Sequence, residues 1–345
     1  MDTIRKGLAG LFAVLFVLTA ILALILFNLE SKAFSAGTYQ QAFANENFYA
    51  RIPSIMAQTF VSSPDLGGVP PGMQTLTPEN WEKFFRELLP PETLITMGDQ
   101  ALTSVFAYLN DETDTAVISL APLKSQMASE TGTQAVINLA SSLPPCTLEE
   151  LARMTMSFLT DAQFTLCNPP AELMEMIRPL MQEQLQLTST SLPDQLILLN
   201  SDQMSGQADP RQRIKALRLM MRLAPILPLF LLFVMTVLAV RGLRDWLVWW
   251  GIPFTLTGIS VSVIAWMGAP LVSLILSDLI LSQAPSYLPS FLLNDVNQLA
   301  AAIMNQVLQP IGLQGLLLSF LGVGMTVLAF IIHQFMKYRE RSTLK

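Results

Sequence analysis

Four stretches of this chain run without Asp, Glu, Lys or Arg for longer than a soluble fold ordinarily requires. Leu8–Phe27 covers twenty residues, Leu223–Val240 eighteen, Trp246–Ser277 thirty-two and Ile311–Ile332 twenty-two. A hydrocarbon core about 30 Å thick needs roughly 20 apolar residues in a helix that rises about 1.5 Å per residue. Each run is therefore a candidate span. The third is long enough to cross once and continue past the surface, and too short to cross twice with a turn. The composition, 52% hydrophobic and 13% charged with a mean hydropathy of +0.47, is that of a membrane protein. The sequence predicts a mainly α, multi-pass helical membrane protein with about four spans. A mostly α-helical extracytoplasmic domain is expected between spans 1 and 2.

The first run has the flanks of a secretory signal, with Arg5 and Lys6 before it and Ser31-Lys32-Ala33 after it. Its uncharged length exceeds the roughly 7 to 15 residues of a signal core, which favours a retained anchor over residues 1–28.

Orientation follows from the basic residues of short loops. With the N-terminus inside, the cytoplasmic segments hold Arg5, Lys6, Arg241, Arg244, Lys337, Arg339, Arg341 and Lys345, while the connection from Ser277 to Pro310 holds no Lys or Arg. Both termini are then cytoplasmic and residues 29–222 lie outside. Arg211, Arg213, Lys215, Arg218 and Arg222 fall on that outer side, an exception of little weight because long domains translocate largely regardless of charge.

That basic cluster opens residues 209–245, expected to form a basic stalk helix followed by span 2. Asp209 suits an N-cap and Pro210 the first helical position, where a missing N–H costs nothing. Arg211, Lys215, Arg218 and Arg222 are spaced 4, 3 and 4, one helical face. Such a stripe either reaches headgroup phosphates or pairs with the acidic domain or a partner; a cytoplasmic location is the third possibility.

Residues 29–208 are enough for one core of their own. From Glu30 to Asp209 there are 21 acidic and 7 basic residues, a balance of −14, and the rest of the chain carries +8. The punctuation is helical, with six or seven helices expected. Thr77-Pro78-Glu79 starts one whose Trp81, Phe84, Phe85, Leu88 and Leu89 share a face, and Pro90-Pro91 ends it. A second runs through Leu94, Leu102, Val105, Phe106 and Leu109 to the polar segment Asn110–Asp114. Thr147–Glu150 forms a capping box. Asn168-Pro169-Pro170 opens a helix with Leu173, Ile177, Leu180 and Met181 inward. Only short stretches such as Ala116–Leu120 and Gln195–Leu199 are candidate strands. Ser62–Gln74 resembles a flexible excursion and Ser201–Ala208 a linker.

Both cysteines, Cys146 and Cys167, immediately precede helix caps in this domain. A helix of about 18 Å and an extended return of about 23 Å allow them to meet, and an oxidising compartment favours a disulfide over two free thiols.

The residue inventory disfavours most catalytic chemistry. The single histidine, His333, lies at the inner end of the last span, which leaves the domain no imidazole base. Two cysteines and one remote histidine do not make a structural zinc site, and no Walker or dinucleotide fingerprint occurs. Glu172 and Glu175 can share a helix face, but a solvated helix start accounts for them better. Asn110–Asp114 offers oxygen ligands without the glycine and terminal glutamate of a calcium loop. No catalytic residue, metal, cofactor or nucleic-acid partner is expected.

Residues 246–345 are expected to hold spans 3 and 4, a basic cytoplasmic tail and an outer amphipathic helix at about 288–309, where Leu292, Val296, Leu299, Ile303 and Val307 form an apolar face. The spans carry almost nothing ionisable, which lowers the standing of ion-coupled transport. Asp278 is expected at the interface, and Gln314 and His333 near the ends of the last span. Gly258 with Ser262 and Gly315 with Ser319 form small-xxx-small patterns suited to close helix packing.

The expected function is binding or scaffolding by the outer domain, with the lipid bilayer and an envelope protein as partners. One span, a large outer domain and three further spans is similar in layout to the permease subunits of ABC transporters of the macrolide-exporter and cell-division type. That likeness implies an ATPase partner and a role in transport or mechanotransmission, and no motif carries it. A carboxylate-dependent surface enzyme is a third class. No Asn-x-Ser/Thr sequon occurs, which favours a bacterial envelope over a secretory pathway.

Overall fold

The computed structural model describes residues 2–62, 73, 75–147, 149, 167–200, 210–283 and 290–343. Most of the excursion expected at Ser62–Gln74, the helix expected after Thr147, the linker Ser201–Ala208 and the N-cap Asp209 lie outside these residues.

The protein is mainly α-helical, and four helical stretches are long and apolar enough to cross a membrane: Ile4–Ala33, Arg211–Ala239, Leu243–Gly268 and Asp295–Tyr338. The chain divides into two compact units. One comprises Met1–Ala42, Gly206–Gln283 and Asn297–Lys345, and the other Phe43–Ser205 and Ala284–Val296.

The first unit is the helical bundle. Its first helix, Asp2–Ala33, turns a seam of small and aromatic residues inward, with Ala9, Phe16, Ala20 and Ala23 buried. Phe16 and Ala20 pack on Leu231, Leu232 and Met235 of the helix Ile226–Ala239. Further along, Ile21, Leu24 and Ile25 meet Val261, Ala265 and Ile311. Leu11, Val14, Leu18 and Leu22 stay exposed, as expected of a helix face turned to lipid, where burial against protein brings no hydrophobic gain. An indole clamps two spans: the Nε1–H of Trp250 donates to Thr236 Oγ1 at 2.9 Å.

The basic helix, Pro210–Leu223, does not run unbroken into the next one. A turn at Ala224-Pro225, in which the Ala224 N–H donates to the Met221 carbonyl at 3.3 Å, separates it from Ile226–Ala239, for which Pro225 is the N-cap. Proline does not interrupt the two longest helices. Leu243–Gln283 contains Pro253 and Pro270, and Ser290–Thr343 contains Pro310. The amphipathic segment expected as a separate element at 288–309 is therefore the beginning of a 54-residue helix. Its Leu299 and Val307 are buried, while Val296 is exposed.

Between Leu29 and Ala208 the described residues form seven helices and two strands. In the second unit, Pro78–Leu88 starts after Thr77, whose N–H and hydroxyl donate to Asn80 Oδ1 at 3.0 and 2.9 Å. Trp81, Leu76, Ala57, Leu139 and Leu143 form the core, with Phe84 and Phe85 against it. Thr115–Ser119 (β1) and Gln195–Asn200 (β2) pair antiparallel with an irregularity at Ala116/Val117. The Val117 N–H donates to Ser104 Oγ at 2.8 Å, tying β1 to the helix Pro91–Leu109. Lys124 Nζ donates to the Leu192 carbonyl at 2.9 Å and to Asp194 at 2.5 Å, which fixes the corner into β2.

Candidate functional site

Within the bundle, the first helix is pinned to the second span segment near both ends. At its start, Arg5 Nη2 donates to the Leu238 carbonyl at 3.0 Å, placing a cation at the C-terminal end of Ile226–Ala239, where the helix dipole favours it. At its other end Glu30 is buried. Arg218 Nε and Nη2 approach one Glu30 oxygen at 3.1 and 3.0 Å, and Arg222 Nε donates to the same oxygen at 2.8 Å. The Arg218 guanidinium also lies 5.0 Å from the centre of the Phe34 ring, a cation–π distance. Two guanidiniums on one carboxylate leave a net positive charge at the end of the span.

The four basic residues of the stripe do not share one environment. Arg211 is buried and Arg218 half-buried, whereas Lys215 and Arg222 are exposed. Residues seven apart lie within about 20° on a helix, so 211 and 218 form the inner edge of the stripe and 215 and 222 its outer edge. Arg218 is thus held by a carboxylate of its own chain. Arg222 is held by the same carboxylate, and of the four residues Lys215 and Arg222 are the exposed ones.

Two residues before Glu30, Asn28 makes a reciprocal amide pair with Gln314. Asn28 Nδ2 donates to Gln314 Oε1 at 2.7 Å and Gln314 Nε2 donates to Asn28 Oδ1 at 3.2 Å. Asn28 is also buried, and its Nδ2 donates to the Leu24 carbonyl at 2.8 Å. The polar signal was visible, since Asn28 and Glu30 directly follow an uncharged run and must find partners. Their partners lie far away in sequence and carried no signal of their own.

Gly258, Ser262, Gly315 and Ser319 come together on two antiparallel helices. A Cβ on Gly258 would fall 2.5 Å from the Gly315 carbonyl oxygen and from the Ser319 nitrogen, and one on Gly315 would fall 2.6 Å from Ser262 Oγ. The same contact repeats seven residues on, where a Cβ on Gly322 would fall 2.5 Å from the Thr255 nitrogen and 2.6 Å from the Gly251 carbonyl oxygen. Gly251, Thr255, Gly322 and Thr326 extend the ladder beyond the residues singled out from sequence. This is packing within one chain.

Cys146 and Cys167 are disulfide-bonded, with Cα atoms 4.9 Å apart. Their segments run side by side: the Cys146 N–H donates to the Asn168 carbonyl at 3.0 Å and the Asn168 N–H to the Pro144 carbonyl at 2.9 Å.

Other residues weighed from sequence are dispersed. Glu172 and Glu175 are both exposed in the first turns of Ala171–Ser191. Asn110–Asp114 makes a tight turn in which Asp111 has a φ of 65°. His333 is half-buried near the far end of the last helix, and Asp278 lies within Leu243–Gln283. Among the described residues no group of three or more His, Cys, Asp or Glu is placed to hold a metal ion. One expectation is corrected: Leu180 faces outward at 57% exposure, while Leu173, Ile177 and Met181 are half-buried. The half-buried stripe turns by about 40° with each four-residue step from Leu173 to Met181, which leaves Leu180, about 20° behind Leu173, on its trailing edge.

No family model, curated protein or solved structure matches the chain.

Proposed function

We propose that this is an integral membrane protein of the cell envelope whose spans hold an acidic helical domain outside the membrane for binding or scaffolding. Both termini then lie in the cytoplasm, residues 29–222 are extracytoplasmic, and residues 29–208 form the presented domain. The basic residues that flank the spans support this orientation. The bonded pair Cys146–Cys167 fits an oxidising compartment.

The observation that carries the binding reading is the apolar surface left open on this domain. Met176, Leu180 and Leu187 are 73%, 57% and 59% exposed on one helix, and Leu196, Ile197 and Leu198 are exposed on β2. Exposed apolar groups on these two elements, which follow one another in the chain, are candidates for a surface that a partner covers. The outer basic pair Lys215 and Arg222 would add contacts to anionic headgroups.

Two experiments test it. A membrane-impermeant thiol reagent should label a cysteine placed at Glu112 and miss one at Asp245 in intact cells; labelling at Asp245 alone inverts the orientation. A photo-crosslinker at Leu180 or Leu187 should trap a discrete envelope partner that one at Glu112 does not, and identical products at all three positions end the binding reading.

A permease-like or mechanotransmitting subunit is the second reading. Its support is the helix Ser290–Thr343, whose 54 residues span about 81 Å at ~1.5 Å each, far more than the ~30 Å of a hydrocarbon core. A helix with that many residues beyond one crossing is a candidate for the transmission of movement. This reading requires an ATPase that co-purifies with the chain.

A further inference from the structure

The small sheet of the second unit has one edge closed and one open. Among the described residues β1 and β2 pair only with each other. The Leu120 N–H donates to the Asp194 carbonyl at 2.8 Å, in register with the pairs Ser119↔Gln195, Ile118↔Leu196 and Val117↔Ile197. Bonded and non-bonded pairs alternate along an antiparallel ladder, so the backbone groups of Asp194 and Leu196 face β1 and those of Gln195 and Ile197 face away from it. β1 obeys the same alternation: the Val117 N–H points away from β2 and donates to Ser104 Oγ at 2.8 Å. The helix Pro91–Leu109 thus closes the far edge of β1. Among the described residues no corresponding bond closes the outward backbone of Gln195 or Ile197.

The open edge is little protected. Exposed edges template a further strand, and folded proteins usually blunt them with Lys, Pro or a bulge. Gln195–Asn200 contains neither a proline nor a charge, and Gln195, Leu196, Ile197 and Leu198 are all exposed. The one irregularity, at Ala116/Val117, leaves Leu198 without a counterpart on β1. It ends the regular edge after Ile197 and leaves the two outward-facing residues in register.

The open backbone defines the form of an occupant, and charge defines its kind. From Pro179 to Pro210 the chain carries Glu183, Asp194, Asp202 and Asp209 and no Lys, Arg or His, within a region whose balance is −14. Lys124, which follows β1, is already bonded to Asp194. A second copy of the chain would bring the same acidic field to the edge and be repelled, whereas a basic segment is drawn to it.

We propose that β2 accepts on this edge an extended segment of another protein, apolar at its centre and flanked by Lys or Arg, as a further strand of the sheet. Gln195 and Ile197 each exchange a pair of backbone hydrogen bonds with it. Its side chains pack beside Leu196 on one face and Ile197 on the other. The inference rests on the binding role proposed for this domain and names the form of the partner.

The probe is a fluorescent peptide, Lys-Thr-Val-Thr-Val-Thr-Lys, followed by anisotropy against the full chain in phosphatidylcholine nanodiscs, with empty nanodiscs as the blank. At low salt it should bind roughly tenfold more tightly than the same peptide with Glu at both ends, and the gap should narrow as salt rises. Methylating every backbone nitrogen between the two lysines should weaken binding by at least about tenfold, the worth of one or two net hydrogen bonds. Ile197→Pro removes an outward N–H and no ladder bond, so it should weaken binding to a similar degree at an unchanged melting temperature. Ile197→Val keeps the N–H and should bind as the parent chain does. Should Ile197→Pro not fold, the methylated peptide decides alone. Equal binding of the Lys- and Glu-ended peptides, indifference to methylation, no binding up to about 1 mM, or a disulfide between two copies of a Gln195→Cys chain would each overturn the assignment. A peptide that fails while a photo-crosslinker at Leu180 still traps a partner ends strand addition and leaves the binding role standing.

Discussion

Arg218 places two of its nitrogens, Nε at 3.1 Å and Nη2 at 3.0 Å, on a single oxygen of Glu30, a residue 188 positions earlier in the chain. Their side chains are 16% and 6% exposed, whereas Arg222, on the same oxygen, is 59% exposed. Burial decides what each contact is worth. Removing one partner of a buried pair leaves an uncompensated charge and costs about 3–5 kcal/mol, while an exposed pair contributes about 0–1 kcal/mol. Glu30→Ala should accordingly destabilise the bundle by several kcal/mol and Arg222→Gln by less than about 1 kcal/mol. Replacing Glu30 and Arg218 together by Met should recover most of the loss. Unfolding in bicelles measures all three, and equal effects of Glu30→Ala and Arg222→Gln would contradict the assignment.

The glycine ladder gives a sharper contrast. An added Cβ at Gly322 meets backbone at 2.5 Å, whereas one at Gly324 meets nothing within 4 Å. Gly322→Ala must push two spans apart, at a cost of about 1–3 kcal/mol, and Gly324→Ala should be neutral or slightly stabilising. Melting temperatures of the two purified variants check this, and a tolerant Gly322→Ala would show that the helices are not in backbone contact.

The bond between Cys146 and Cys167 closes a loop of sequence separation 21. Serine at both positions should lower the stability of the domain by about 3 kcal/mol, chiefly by freeing the unfolded chain. Mass spectrometry without reduction, on protein alkylated during lysis, should recover one linked peptide pair. Finding both thiols alkylated would remove the bond and with it one support for an oxidising compartment.

The sequence disclosed what depends on neighbours in the chain and hid what depends on distant ones. Uncharged runs locate the four spans because burying a charge in hydrocarbon is costly wherever the helix packs. Gly258, Ser262, Gly315 and Ser319 were visible through their four-residue spacing. Gly251, Thr255, Gly322 and Thr326 continue that ladder at seven-residue steps, a period that extending the search along both helices would have revealed. Glu30 was counted with the acidic domain, since nothing near it in sequence announces Arg218 or Arg222. Pro310 was taken as the end of an outer helix, yet one missing N–H within a long, packed helix does not break it. Leu180 was placed inward by its seven-residue spacing from Leu173, although the stripe of Leu173, Ile177 and Met181 turns away from it along the helix.

Tyr49 gives the domain a testable alkaline limit. It is 5% exposed, and its hydroxyl donates to Asp99 Oδ1 at 3.3 Å. Burial, then the charge of Asp99 and the hydrogen bond to it, push the phenol up from 10.0 to about 12. The folded chain therefore holds this proton more tightly than the unfolded one. Below pH 10 both states keep it, and the contribution is fully present. As pH rises from 10 towards about 12, the unfolded state releases the proton first, so stability falls with pH across that window. Tyr49→Phe cannot ionise and should flatten that part of the profile, while the slope from Tyr39, whose pKa burial also raises, is kept. Chemical denaturation of both proteins on either side of pH 10 reads the difference. Parallel profiles would mean that Tyr49 ionises in the folded chain as readily as in the unfolded one, and that the contact with Asp99 does not hold its proton.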